Sequence, residues 1–167
     1  GDIYAKLGLQ FIPPELREDR GEITEAREDR LPTLVTAADI RGDLDVRVDW
    51  HADSADVDAL FAAARALGYC YLALVGDGRL LRSRQIDTAG MRARLDDVGR
   101  RAERAGVRVF KGVEADIRPD GTLDLPAELA GLFDFVAGSV QTQFDLPAAD
   151  QTERLVRAVD HPRFAML

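Results

Sequence analysis

A short segment, GDLDVRVDW at residues 42–50, carries a charged pair with the spacing of metal ligands. Asp45 and Arg47 lie two residues apart, so both side chains point to the same face of a β-strand. The alternate, inward-facing positions carry Leu44, Val46 and Val48. A carboxylate can bind a metal ion, whereas an arginine stays protonated and offers only hydrogen-bond donors. The segment therefore predicts a strand that ends either in a metal site or in the remains of one.

Two further carboxylates follow apolar segments. Asp77 lies between glycines in VGDG, where an aspartate commonly makes local hydrogen bonds in a turn. Glu114, in VFKGVEADI, is interpreted either as a metal ligand or as a solvated acid paired with Lys111. Asp116 faces the same side as Glu114 and is a weaker candidate. Gln141 follows FVAGSV and can hydrogen-bond a ligand, but an amide is a poor metal ligand.

Nucleophiles and imidazoles give a weaker signal. His51 and His161 are the two histidines, and a site built on imidazoles would need more of them. Both are interpreted as loop residues, although His51 could approach Asp45. Ser139 and Cys70 have no base that the sequence identifies, so no nucleophilic triad is predicted.

Two groups of arginines are candidates for phosphate contacts. Arg79, Arg82 and Arg84 lie in GRLLRSRQ, which is interpreted as a phosphate-binding or a solvated loop. Residues 100–104 carry a second group, which would bind nucleic acid or form one solvated helix face. The net charge of −8 argues against this chain holding duplex DNA by itself, because DNA-binding faces are rich in Lys and Arg.

Strand and helix patterns alternate after residue 39. Strands are predicted at 44–48, 70–75, 107–117, 132–140 and 163–167, and helices at 54–67, 87–106 and 148–160. Short joins between them indicate parallel βαβ units. In such folds the functional groups lie at the carboxyl ends of the strands, where the candidate residues fall. The sheet is either open or the first part of a longer barrel.

Residues 1–38 have a different composition, with a Pro-Pro pair, dense charge and no clear strand. They are predicted to be a linker or the tail of a preceding region, with one short helix at Ile23–Arg30. The single cysteine excludes an intrachain disulfide, and we expect a reducing, cytoplasmic location. No secretory signal and no apolar run of bilayer-spanning length is visible.

In order along the chain, several segments resemble the PHP (polymerase and histidinol phosphatase) domain of bacterial and archaeal family X DNA polymerases. They are IPPELREDRGEI, ALGYCYLAL, VFKGVEADI, DGTLDLP, FDFVAGSV and TERLVRAVDHP. The resemblance implies an α/β fold: an incomplete, distorted (β/α)7-type barrel of about five parallel strands with helices outside. Residues 1–38 would follow a polymerase region, and 39–167 would be the N-terminal part of the barrel.

The usual domain of this family binds two or three divalent metals and hydrolyses phosphoesters with metal-bound water. Its ligand positions in this stretch fall on Asp45, Arg47, Ala52, Asp77, Glu114 and Gln141. The family has histidines at the positions of Asp45, Arg47, Asp77 and Gln141, and an acid at that of Ala52. Only Glu114 keeps the family's residue, and the last family ligands, an Asp-x-His, are expected after Leu167.

The resemblance and these departures predict a degenerate, catalytically inactive domain that serves as scaffold or interaction module for a DNA repair polymerase. We expect this stretch to bind no metal, with Arg47 pairing Asp45, Asp77 or Glu114 in its place. Mg or Mn is expected for the parent polymerase. The expected partners are the polymerase region of the same chain and, through the parent protein, DNA; no membrane is expected.

Two alternatives stay open. The first is an active, metal-dependent 3'-5' exonuclease or phosphoesterase that uses Asp45, Asp77, Glu114 and Asp116, together with residues expected after Leu167, and Mg or Mn. The second is a nucleic-acid-binding module that uses the two arginine groups.

Overall fold

A computed structural model describes residues 2–51, 55–83 and 87–167. The chain divides into two compact units, Gly1–Asp39 and Ile40–Leu167.

The first unit contains helix α1 (Asp2–Lys6), a 3-10 turn at Pro14–Leu16 and helix α2 (Glu22–Arg27). The predicted helix at Ile23–Arg30 is observed three residues shorter at its end, because Asp29 adopts a left-handed conformation with φ 51°. Helix α1 was not predicted. The role of this unit as a segment that follows a polymerase region stays a prediction.

In the described part of the second unit, five strands form one sheet. They are β1 (Gly42–Val48), β2 (Tyr71–Asp77), β3 (Arg108–Asp116), β4 (Phe135–Ser139) and β5 (Phe164–Met166). The helices are α3 (Ala55–Ala66), α4 (Gly78–Ser83), α5 (Thr88–Ala105), α6 (Ala127–Ala130) and α7 (Ala148–Val159).

The strands are parallel and lie in the order β1-β2-β3-β4-β5. Each strand therefore pairs with the next one along the chain, as expected for successive βαβ units. The predicted α/β class, with five parallel strands and helices around them, is confirmed, and the sheet is consistent with an incomplete barrel.

Helix α5 shows how the local sequence produces these elements. The Asp87 side chain accepts hydrogen bonds from the backbone N–H groups of Ala89 (3.0 Å) and Gly90 (3.2 Å), which begins the helix. Gly106, with φ 69°, ends it. Apolar residues at three- and four-residue spacing are buried: Met91, Leu95, Val98 and Ala102.

One face of the sheet carries the hydrophobic core. Strand residues Leu72, Leu74, Val113, Ala115 and Val136 pack there with buried residues of the helices. The opposite face holds an apolar groove of about 290 Å³. Its lining includes Leu44, Ala73, Phe110, Phe135 and Met166.

Two local predictions were wrong. Leu44 does not share the core face with Val46 and Val48, because an irregularity between Asp43 and Val46 shifts the register of β1; Leu44 is 53% exposed. The segment that begins GRLLRS was interpreted as a loop but forms α4, whose Leu81 is buried in the core. Tertiary packing of one leucine outweighs the turn preference of the glycines.

The described helices are all too short or too polar to cross a lipid bilayer.

Candidate functional site

The carboxyl ends of β1 to β4 form one edge of the sheet, here called the rim. Asp77 at the end of β2 is the register partner of Glu114 on β3, and Asp116 is the partner of Ser139 on β4. Like charges at directly paired positions destabilise a sheet. Asp77 and Glu114 therefore need cations nearby, and each has a different arginine.

Arg47 reaches Glu114 across the intervening strand. In the register, Arg47 lies beside Val75 and Val75 lies beside Gly112, two residues before Glu114. Two strand spacings, about 9.5 Å, separate β1 from β3, and an arginine is long enough to cross that distance. The Arg47 guanidinium donates to the Glu114 carboxylate, and its Nε lies 3.1 Å from Asp45 Oδ1. The structure thus brings Asp45, Arg47 and Glu114 together.

Glu114 is the most enclosed carboxylate of this group, with a side chain that is 15% exposed against 55% for Asp45. Burial raises the pKa of Glu114, but hydrogen bonds from Arg47, Ser139 and Gln141 and the charge of Arg47 outweigh it. The pKa of Glu114 is therefore lowered from its ordinary value. The hydrogen bond to Glu114 raises the pKa of Arg47. Lys111, the partner considered from the sequence, makes no ion pair with Glu114 in the described part of the chain.

Asp77 is bonded by Arg79 of α4, the helix that follows it, rather than by Arg47. Its Oδ1 accepts the backbone N–H of Arg79 at 2.7 Å, and its Oδ2 lies 3.4 Å from the Arg79 guanidinium. Burial raises the pKa of Asp77, but these bonds and the charge of Arg79 lower it by more, so the net pKa lies below the ordinary value. Arg79, a candidate phosphate contact, thus already has a carboxylate partner.

Gln141 and Ser139 complete the rim beside Glu114. The Gln141 side chain donates from Nε2 to the Ser139 hydroxyl at 2.7 Å. Its Oε1 is buried and has no hydrogen-bond partner among the described residues. Asp116, a weaker ligand candidate, has both oxygens engaged: they accept the Gln141 backbone N–H (2.8 Å) and the Thr142 hydroxyl (2.6 Å).

Trp50 fixes the segment that leaves β1. The Trp50 ring lies against Gly76, where an added Cβ would come within 2.0 Å of it. Its indole N–H donates to the Gly112 carbonyl at 3.0 Å. A glycine at 76 therefore lets the tryptophan cross β2 and bond β3. His51 follows; its Nε2 is buried without a partner in the described part of the structure, and its backbone N–H donates to Asp49.

Several other predicted positions lie away from this group or outside the description. Ala52 and Arg84 fall outside the described residues, and Arg82 lies in α4. His161 accepts the backbone N–H of Arg163 at 3.3 Å, in the turn before β5. In the second arginine group, Arg100 and Arg101 pair with Asp97, and Arg101 also pairs with Asp58. This arrangement is typical of a solvated helix face.

The described residues of the rim do not form a cluster that could hold a divalent metal ion. Among residues 2–51, 55–83 and 87–167, no group of three or more His, Cys, Asp or Glu side chains is arranged to hold one. To bind a metal ion, the Glu114 carboxylate would have to face it. That carboxylate instead contacts the Arg47 guanidinium. A second positive charge there would be repelled.

Arg154 was not identified as a candidate from the sequence, although it is fully buried next to the rim. Its spacing from Ala158 on the buried face of α7 was an available signal. A charged residue at a core position indicates a specific partner, because burying an unpaired charge is costly.

No protein-family model matches the chain. Among curated proteins, the DNA polymerase/3'-5' exonuclease PolX of Bacillus subtilis (strain 168) is 30% identical to it over 160 residues. The match covers 95% of this chain and 28% of PolX, so the chain spans less than a third of that relative's length. Nearly the whole chain is therefore similar in sequence to one part of PolX, which supports the resemblance to family X DNA polymerases.

Proposed function

We propose that residues 39–167 form part of a PHP domain of a family X DNA polymerase whose phosphoesterase site has been lost. The observation that carries this proposal is the position of Arg47, whose guanidinium lies between Asp45 and Glu114. Glu114 is the ligand residue that the sequence keeps from the family pattern, and its carboxylate is engaged by a protein cation.

An arginine can replace the structural role of a metal ion at such an edge. Its guanidinium supplies a permanent positive charge and five N–H donors, so it neutralises and cross-links carboxylates from different strands. It cannot activate water as a metal ion does, because it offers no open coordination position and does not lower the pKa of a bound water. The rim would thus keep its shape and lose its hydrolytic chemistry.

In this proposal the parent protein carries out gap-filling DNA synthesis in DNA repair, and the domain is a scaffold for its polymerase region. Nucleotidyl transfer, with Mg or Mn, would belong to that polymerase region. DNA would be bound by the parent protein, since the acidic net charge of −8 does not favour binding by this domain alone.

Metal binding and hydrolysis test the proposal directly. The full chain would be titrated with Mn²⁺, Mg²⁺ and Zn²⁺ by calorimetry, and hydrolysis of p-nitrophenyl phosphate would be followed with each metal. We expect no stoichiometric binding, and hydrolysis no faster than that of a Glu114→Gln variant. Arg47→Ala removes the cation that contacts both Asp45 and Glu114, and Arg100→Ala, on the exposed face of α5, is the matched control away from the rim. One metal per wild-type chain, with hydrolysis abolished in Glu114→Gln, would overturn the proposal.

The second candidate function is a metal-dependent 3'-5' exonuclease. It is favoured by the name of the Bacillus subtilis relative, which includes this activity, and by the presence of Asp77 and Glu114 at paired positions of one rim. A labelled single-stranded DNA distinguishes the two functions. Degradation from the 3' end that requires Mn²⁺ and is lost in Glu114→Gln would favour the exonuclease, and an intact substrate would favour the proposal above.

A further inference from the structure

Arg154, on α7, is a fully buried arginine whose donors go to several parts of the chain. Its Nε donates to the Ile117 carbonyl at 2.7 Å, and its Nη1 donates to the Thr142 carbonyl at 3.0 Å and to Gln151 Oε1 at 3.1 Å. Its Nη2 lies 3.7 Å from Asp116 Oδ1. A single side chain therefore links α7 to the end of β3 and to the residues that follow β4.

Asp116 also bonds the residues that follow β4. One oxygen accepts the backbone N–H of Gln141, and the other accepts the hydroxyl of Thr142. Asp116 is 6% exposed, so these bonds are shielded from water. The backbone N–H of Ile117 also donates to the Ser139 carbonyl at 2.9 Å. Residues 139–143, here called the rim loop, are thus bonded at their beginning and in their middle to the end of β3.

The end of the rim loop is fixed as well. Gln143 adopts a left-handed conformation with φ 56°, which a non-glycine residue keeps only where its surroundings hold it. Its carbonyl accepts the Gln151 side chain at 2.7 Å, and Gln151 in turn accepts from Arg154.

We infer that Asp116 and Arg154 form a buried clamp that positions the rim loop, and through it holds Ser139 and Gln141 beside Glu114. Asp116 and Arg154 are therefore positioning residues for the rim site.

A role in geometry accounts for the use of charges here. Well-packed apolar residues are often as stabilising as a buried ion pair, so stability alone does not call for one. A carboxylate with two acceptor oxygens and a guanidinium with five donors can fix the direction of several backbone groups at once. Because neither residue contacts the Arg47 guanidinium in the described structure, the clamp and the Arg47–Glu114 pair can be tested separately.

Amide hydrogen exchange of the full chain, followed by NMR, tests the clamp. Thr142→Val keeps the side-chain shape and removes the hydroxyl that donates a hydrogen bond to Asp116. We expect exchange of the Gln141 backbone N–H to accelerate about fivefold, and the Gln141 side-chain amide signals to shift. Amides of the β2–β3 ladder should keep their rates, and Thr142→Ser should restore the wild-type rate. Arg157→Met, on the same helix with an exposed side chain, is the matched control.

Two results would overturn the clamp. One is an unchanged Gln141 exchange rate in Thr142→Val. The other is equal acceleration in the β2–β3 ladder, which would mean a loss of overall stability rather than of loop position. Asp116→Asn should give the larger acceleration at Gln141, and the Thr142 variants decide the matter if that protein does not fold.

Discussion

Two arginine–carboxylate pairs lie at the same edge of the sheet, and their surroundings differ. The Arg47 side chain is 54% exposed and that of its partner Glu114 is 15% exposed. In the second pair the corresponding values are 0% for Arg154 and 8% for Asp116. The first pair joins two strand ends next to water, whereas the second joins a strand, a loop and a helix inside the protein.

The difference separates a replaceable contact from an obligatory one. An exposed ion pair adds little to stability, because water solvates both groups when the pair opens. A buried pair contributes little in total, but removing one partner leaves the other charge without water or a counter-ion. The two pairs should therefore respond very differently to the same kind of substitution.

The largest effect is expected for Arg154→Met. This change leaves the Asp116 carboxylate buried without its cation and removes the donors to the Ile117 and Thr142 carbonyls. We expect the free energy of unfolding to fall by about 3–5 kcal/mol, measured by urea denaturation followed by circular dichroism. Arg157→Met, one turn away on the same helix, should change it by less than about 0.5 kcal/mol.

A double-variant cycle completes this test. Adding Asp116→Asn to Arg154→Met removes the uncompensated charge, so the double variant should be less destabilised than the sum of the single ones. Additive losses would mean that the two residues do not act as a pair.

Arg47→Ala is expected to have a smaller effect, a loss of about 0.2–1 kcal/mol, because the Arg47 side chain is more than half exposed and its removal lets water reach Glu114. The loss should shrink at high salt, which screens exposed charges. Parallel urea titrations at low and high ionic strength measure both quantities. A loss of unfolding free energy as large as that of Arg154→Met would show that the rim pair behaves as a buried ion pair, which would contradict this prediction.

The smallest effect is the pH dependence of the rim pair. The pKa of Glu114 is lowered in the folded protein, so its contribution to stability is fully present above about pH 4.5, the ordinary value. That contribution is lost as the pH falls through the folded pKa. The difference in unfolding free energy between the wild-type protein and Glu114→Gln should therefore decrease on acidification below pH 4.5. An increase would contradict the assigned direction of the shift.

Much of the sheet could be predicted because its strands are apolar runs that end in Gly or charged residues, as in Tyr71–Asp77. The helix α4 could not be predicted, since the packing of Leu81 into the core outweighs the glycine beside it. The register irregularity in β1 could not be predicted either, because it depends on how β1 aligns with β2.

The partner of Arg47 shows the same limit at the site. From the sequence, Asp45, Asp77 and Glu114 were equivalent partners. In the structure, Asp77 bonds the backbone and side chain of Arg79. Arg47 pairs with Glu114 and Asp45 instead. Such a choice depends on strand register, which local sequence does not encode.

The most direct test of the central claim is a Mn²⁺ titration of the ¹⁵N-labelled full chain followed by NMR. Paramagnetic Mn²⁺ broadens the amide signals of residues close to a bound ion. If Arg47 occupies the position of a metal, the amides of Asp77, Glu114 and Gln141 should broaden no more than those of residues 102–105, which end α5 at the opposite edge of the sheet. Selective broadening of these rim amides at substoichiometric Mn²⁺, abolished by Glu114→Gln, would contradict the claim.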